Sequence, residues 1–317
     1  MHYRQLGQTD MQVSCLSYGA SPLGSVFRSV NEDAGIRTVH VALDLGVNFI
    51  DVSPYYGLTK AETVLGKALQ GVPRTRYFLA TKVGRYGPNM GDFDFSAARV
   101  TRSVDESLAR LGVSYVDIIQ CHDIEFADLH QIIHETIPAL RKVVQAGKAR
   151  YVGITGLPLK VFSDVIEKTA IDTILSYCRY SLNDTALERL LPLLEARHVG
   201  IISASPLSMG LLADREPPAW HPATPDIRAA CGKAAAFCRG NGKDIAKIAL
   251  QFALANPRIA TTLVGTANPE NITNNCKWAD EPLDQQLLAD VQKILAPILN
   301  QTWPSGRPEN NESAITA

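Results

Sequence analysis

A chain of 317 residues with 46% hydrophobic content is long enough to bury a large core, and α/β barrels of this length run as one domain. The formal net charge of −1 gives no electrostatic reason to expect nucleic acid or an anionic membrane as partner. The opening Met1-His2-Tyr3-Arg4-Gln5-Leu6-Gly7 has no charged segment leading into an apolar one, and no run approaches bilayer-spanning length, so a cytoplasmic location is expected.

Residues 3–13 read as a small hairpin turning at Gly7-Gln8-Thr9-Asp10. Strand 15–18 then leads to a helical pattern over 32–45, opened by Asn31-Glu32-Asp33 and stopped at Gly46. The alternation continues with strand 48–51 and helix 60–70, then strand 77–82 and helix 96–111 between Asp94-Phe95-Ser96 and Gly112. Strand 116–121 precedes helix 129–146 with its stop at Gly147, and strand 150–154 precedes helix 158–167. Strand 173–177 is followed by helix 184–197, with Gly200 as its stop. After strand 199–203 comes a long excursion, 204–242, rich in Pro, Gly and Trp, and then helix 243–256. Strand 261–264 and helix 268–279 complete eight βα units. Strict alternation with right-handed crossovers gives a parallel sheet, and eight units close it as a (β/α)8 TIM barrel, with the hairpin as a lid on its bottom. Residues 283–297 add a helix after the last barrel helix, and the stretch 308–317 reads as a flexible tail of the single domain 1–317.

Polar residues close three of the apolar strands. Asp51 ends Val47-Asn48-Phe49-Ile50, Lys82 ends Phe78-Leu79-Ala80-Thr81, and His122 ends Val116-Asp117-Ile118-Ile119-Gln120-Cys121. Tyr56 follows the first of these in the loop Ser53-Pro54-Tyr55-Tyr56-Gly57. Barrels build their sites from such residues at the C-terminal strand ends. A phenol beside an ammonium becomes a general acid/base, a carboxylate keeps the ammonium charged, and an imidazole holds a carbonyl or hydroxyl oxygen. The spacing assigns Tyr56 as that acid/base, with Tyr55 lining the pocket.

The ordered set Asn48-Phe49-Ile50-Asp51, Tyr56-Gly57, Ala80-Thr81-Lys82 and His122 resembles the aldo-keto reductases over nearly the whole chain. Within that superfamily the chain is similar to the sugar dehydrogenases of the L-galactose dehydrogenase type. The closer likeness lies in Gly19-Ala20-Ser21-Pro22-Leu23-Gly24-Ser25-Val26-Phe27, Cys121-His122-Asp123-Ile124-Glu125-Phe126, Ser203-Ala204-Ser205-Pro206-Leu207-Ser208-Met209-Gly210-Leu211-Leu212, Pro217-Pro218-Ala219-Trp220-His221-Pro222 and Thr302-Trp303-Pro304-Ser305-Gly306. The resemblance implies oxidation of the C1 hydroxyl of an aldose, L-galactose or a relative such as L-fucose, to the aldonolactone, with a small-molecule sugar as partner. His122 would orient the substrate oxygen.

The same resemblance implies a nicotinamide cofactor across the strand ends; no GxGxxG follows the first strand, so a Rossmann site is not indicated. Gly19 lies at this face by the same likeness. Ser205, Leu207, Met209 and Gly210 match the pyrophosphate loop, and Gly265, Thr266, Asn271, Asn274 and Asn275 the adenosine region. Three positions depart from the pattern. Thr155-Gly156 stands where the family shows Ser-Asn, Tyr177 near its glutamine, and Ala204 where many members carry a stacking aromatic, so Tyr177 is the candidate stacking ring. Members preferring NADPH place Lys or Arg in the eighth-strand segment, because a 2′-phosphate needs charge-assisted partners. Here no basic residue stands between Arg258 and Lys277, Glu270 adds negative charge, and NAD is the expected cofactor. Phe27, Tyr55, Phe93, Phe126, Trp220 and Trp303 are candidate pocket walls, with Arg85 and Asp123 for the sugar hydroxyls.

Two other classes compete: an NADPH-dependent aldehyde reductase, against which the non-basic eighth-strand loop argues, and a non-enzymatic barrel like the channel-associated β-subunits, against which the intact tetrad argues. His40, His130, His134 and His198 read as structural, while His221 could approach the pocket from the long loop. The six cysteines, at 15, 121, 178, 231, 238 and 276, form no C-x-x-C pair and match no zinc template, so no metal is expected. Cys121 alternates with His122 and should face away from the site.

Overall fold

The computed structural model describes residues 1–26 and 29–312. Two short antiparallel strands, β1 (Tyr3–Gln5) and β2 (Gln12–Ser14), precede the barrel strands β3 (Leu16–Gly19), β4 (Phe49–Asp51), β5 (Phe78–Val83) and β6 (Val116–Cys121). The barrel is completed by β7 (Ala149–Gly156), β8 (Thr173–Tyr177), β9 (Gly200–Ala204) and β10 (Thr261–Gly265). All eight pair in parallel and in chain order, and β10 closes onto β3. The amphipathic helices between them bury one stripe each against the outer faces of the strands.

Strand parity explains where the site stands. Phe49, Ala80, Ile118, Leu175, Ile202 and Leu263 point inward and meet Leu6, Met11 and Val13 of the hairpin, which plug the barrel bottom. Two residues further along β4, β5 and β6, the same parity brings Asp51, Lys82 and Gln120 inward above this apolar floor. Residues of the opposite parity, including Ile50, Ile119 and Cys121, join the layer between strands and helices. All six cysteines are buried and free, and burial pushes the Cys121 thiol up to about 12. Among the described residues no helix is long and apolar enough to cross a membrane.

Four expectations need correction. First, the excursion after β9 contains a 16-residue helix, Pro225–Gly240, opened by the Thr224 side chain. It packs with the extra helix Gln285–Leu295 in a second apolar cluster flanking the barrel. Second, the fourth barrel helix is interrupted by a π turn, Ile132–Thr136, ending two residues before Pro138, whose missing N–H cannot close the ordinary ladder. Third, the stop after the sixth helical stretch is His198 at φ 56°, whereas Gly200 is the first residue of β9 and lies against Leu6. Fourth, the stretch 308–312, expected to be flexible, is tied down. Asn310 is buried and its side-chain amide donates to the Glu125 and Ala127 carbonyls at 2.9 and 3.0 Å. Gly306 allows this approach, because a Cβ there would run into the Glu125 carbonyl.

Candidate active site

Asp51, Lys82, Tyr56 and His122 meet at the C-terminal end of the barrel. Lys82 Nζ donates to Asp51 Oδ1, to the Val52 carbonyl at 2.9 Å and to the Tyr56 hydroxyl at 3.1 Å. The ammonium thus has all three protons engaged while only 1% of the residue is exposed. Gln120 Nε2 donates to the other Asp51 oxygen at 2.8 Å. The Tyr56 loop reaches Lys82 because Gly57, at φ 63°, sits against the Gly24 carbonyl, where no side chain would fit. Tyr55 stands 6.0 Å from Tyr56, ring centre to ring centre, and makes no hydrogen bond to Lys82.

The electrostatics differ from the simple expectation of a phenol tuned toward neutrality. Burial pushes Tyr56 up to about 12, and Lys82, though it pulls the other way, does not offset this. Burial also works against the charge of Lys82, but Asp51 and Tyr56 together hold its pKa above the ordinary value. His122 is lowered to about 3, chiefly by burial, and is therefore neutral at working pH. Its Nδ1 lies 3.0 Å from Ser53 Oγ, and its ring meets Tyr56 edge-on at 5.6 Å.

A second group of side chains forms one wall. Arg85 donates to Asp123 Oδ2 at 2.5 Å, and its guanidinium lies 3.8 Å over the Tyr55 ring. Phe93 and Phe126 stack at 4.8 Å beside it. Asp123 has φ 51°, a backbone strain that a non-glycine residue tolerates only when its surroundings hold it. Thr155 Oγ1 accepts from the Asp123 N–H at 2.8 Å. Trp220 and Trp303 gather instead around His221, stacked at 6.1 Å and edge-on at 5.0 Å. Trp303 is buried in the second apolar cluster, whereas Trp220 is exposed. Phe27 lies outside the described residues.

The candidate cofactor residues line the other side of the mouth. Gly19 and Gly265 are paired ends of β3 and β10, and Tyr177 ends β8, half-buried, with its hydroxyl donating to Glu125 at 3.1 Å. Ser205, Ser208, Met209 and Gly210 all have positive φ, which turns the loop after β9 back on itself in a short span. Thr266 opens the final βα turn, accepting from Asn268 N–H and the Asn271 amide at 3.1 and 3.4 Å. Asn271, Asn274 and Asn275 share one face of helix Pro269–Asp280, with Asn275 the most buried. The glycine strand ends and the asparagine side chains offer neutral polar partners to a dinucleotide, and no basic side chain stands within 259–276. Of the two flanking cations, Arg258 pairs with Glu195 at the barrel bottom, and Lys277 faces Glu281 at 3.8 Å.

Sequence reasoning missed three contributors, Ser53, Gln120 and Glu125. Ser53 and Gln120 hold His122 and Asp51. Glu125 Oε1 accepts from Tyr177, Ser305 and the Leu157 N–H, linking the candidate stacking ring to the C-terminal segment, and its carboxyl is pushed up to about 8 by burial and by Asp123. His221, which the sequence offered as a residue approaching the pocket from the long loop, braces the loop after β9. Its Nδ1 accepts from Ala223 N–H, so Nε2 donates to the Ser208 carbonyl at 3.0 Å. Only the inward parity of Gln120 was a usable signal beforehand.

Residues 15–296 match the aldo/keto reductase family. The chain is 51% identical to L-galactose dehydrogenase from Arabidopsis thaliana, covering 97% of this chain and 98% of that protein. It is 30% identical to D-arabinose 1-dehydrogenase from Saccharomyces cerevisiae, over 93% and 95% of the two chains. Among solved structures, an aldo-keto reductase from Bacillus halodurans in its holo form superposes with a TM-score of 0.79 at 28% identity, over 98% of this chain and 100% of that one.

Proposed function

The chain belongs to the aldo/keto reductase family of oxidoreductases, and we propose that it is an NAD-dependent sugar 1-dehydrogenase acting on L-galactose or a close relative such as L-fucose. The observation that carries the reading is the Tyr56 hydroxyl held 3.1 Å from a fully paired, buried Lys82 in a chain so similar to a sugar dehydrogenase. Tyr56 takes the proton of the C1 hydroxyl, Lys82 stabilises the phenolate, and His122 holds the same oxygen from its other side. Arg85 and Asp123 take sugar hydroxyls, and Tyr55, Phe93 and Phe126 face the apolar side of the ring. When bound, NAD would supply the acceptor for the C1 hydride. Ser205 to Gly210 would hold its pyrophosphate, Tyr177 its nicotinamide, and Thr266, Asn271, Asn274 and Asn275 its adenosine.

The reading is tested by NAD reduction against a panel of aldoses, expecting turnover with L-galactose-like sugars, and by the ratio of cofactors. A 2′-phosphate beside Gly265, Glu270 and Asn271 would lose one or two charge-assisted bonds worth roughly 1.5–3 kcal/mol each. NAD should therefore exceed NADP by about tenfold or more in kcat/KM. Asn271→Arg should narrow the gap through KM for NADP, because the contact is remote from the hydride. Equal use of both cofactors by the unmodified enzyme would count against the assignment.

The pH profile follows from the two perturbed groups. Oxidation needs the Tyr56 phenolate, and with that pKa pushed up to about 12 the rate should climb throughout the accessible range. His122, lowered to about 3, adds no break near its ordinary value of about 6.5. A profile that falls from about pH 6 to about pH 9, or one that bends near the ordinary imidazole value, would contradict these roles.

A further inference from the structure

Ser53 stands two residues past Asp51 and is entirely buried. Its Oγ accepts from the Tyr55 N–H at 3.1 Å and lies 3.0 Å from His122 Nδ1. An amide can only donate, so one lone pair of the hydroxyl is committed to Tyr55. Among the described residues, the hydroxyl proton has one acceptor within hydrogen-bonding distance, which is Nδ1. The reverse arrangement, with Nδ1–H donating to Oγ, would leave the hydroxyl proton buried and unpaired. The far side of the ring points to the same answer. Nε2 lies 3.6 Å from Asp123 Oδ2, an oxygen to which Arg85 also donates, so an acceptor faces Nε2.

We propose that Ser53 is a positioning residue that fixes neutral His122 in the tautomer carrying its proton on Nε2, with the Asp123–Arg85 pair holding that N–H toward the sugar-facing side of the pocket. The inference rests on the proposed reaction only in its consequence. The Nε2–H then donates to the oxygen that Tyr56 deprotonates, and it does so without His122 gaining or losing a proton. In the other tautomer a lone pair would face that oxygen, which opposes binding in the ground state and more strongly as negative charge grows on the oxygen. Which tautomer a histidine adopts is set by the bond its other nitrogen makes, and here that bond comes from a residue with no direct access to the substrate.

The tautomer can be read directly by long-range 1H–15N correlation on protein labelled at histidine ring nitrogens, with the His122 signals identified from their loss in His122→Asn. The unmodified protein should show a protonated Nε2 and an unprotonated Nδ1, steady across neutral pH. Ser53→Ala should shift that pattern toward a mixture and lower kcat for the sugar about tenfold while KM for NAD stays within about twofold, since the cofactor is not touched. Ser53→Thr, which keeps the hydroxyl, should restore both the pattern and most of the rate. A protonated Nδ1 in the unmodified protein would overturn the proposal, as would Ser53→Ala with unchanged tautomer and unchanged kcat. Because the spectrum needs no turnover, absence of activity on every sugar would overturn the reaction reading and leave the tautomer assignment standing.

Discussion

Tyr56→Phe should fold, bind cofactor with unchanged affinity and lose turnover by about 10²–10⁴-fold, the usual effect of removing a positioned proton-transfer group. The hydroxyl it removes is the one that Lys82 Nζ reaches at 3.1 Å. The ring would remain packed edge-on against His122, so little stability is lost with the oxygen. Tyr55→Phe is the internal control, since the Tyr55 face is used by the Arg85 guanidinium and its hydroxyl is not bonded to Lys82. It should keep kcat near that of the unmodified enzyme and shift KM for the sugar at most. Kinetics with both variants decide the matter: near-normal kcat in Tyr56→Phe together with a dead Tyr55→Phe would reverse the assignment.

Lys82→Met should abolish turnover at neutral pH and also destabilise the protein, for two separable reasons. The catalytic loss follows from the phenolate, which would form in a buried site without its cation. The stability loss follows from Asp51, which is 3% exposed and would be left as an unpaired buried carboxylate bonded only to Gln120. Breaking a buried pair from one side costs about 3–5 kcal/mol. Replacing both partners, Asp51→Leu with Lys82→Met, removes the stranded charge, and denaturant titration should recover much of that loss while activity stays absent. A double variant as unstable as the single one would show that the pair does more for the fold than satisfy its own charges.

Much of this molecule can be read locally. Alternating apolar strands and amphipathic helices specify eight βα units because the periods of 2 and 3.6 are written within single segments. Strand parity likewise decides that Asp51, Lys82, Gln120 and His122 face inward while Cys121 faces the helices, since alternation needs no knowledge of the rest of the chain. The helix inside 204–242 was hidden by the flanking Pro, Gly and Trp, although its Thr224-Pro225 start was a legible cap. The anchored tail was hidden because a polar composition does not reveal a matched set of carbonyls elsewhere, here those of Glu125 and Ala127.

What the tertiary structure decided concerns meetings between distant segments and the solvent they exclude. Ser53 finds His122, His221 finds the Ser208 carbonyl, and Tyr177 and Ser305 share Glu125, each through loops whose relative placement no local pattern encodes. The phenol of Tyr56 is the clearest case. Its neighbour Lys82 is evident from the sequence and argues for a lowered pKa, yet burial wins and raises it to about 12. Charge and spacing belong to the chain itself, whereas desolvation belongs to everything packed around a group and exists only once the barrel has closed.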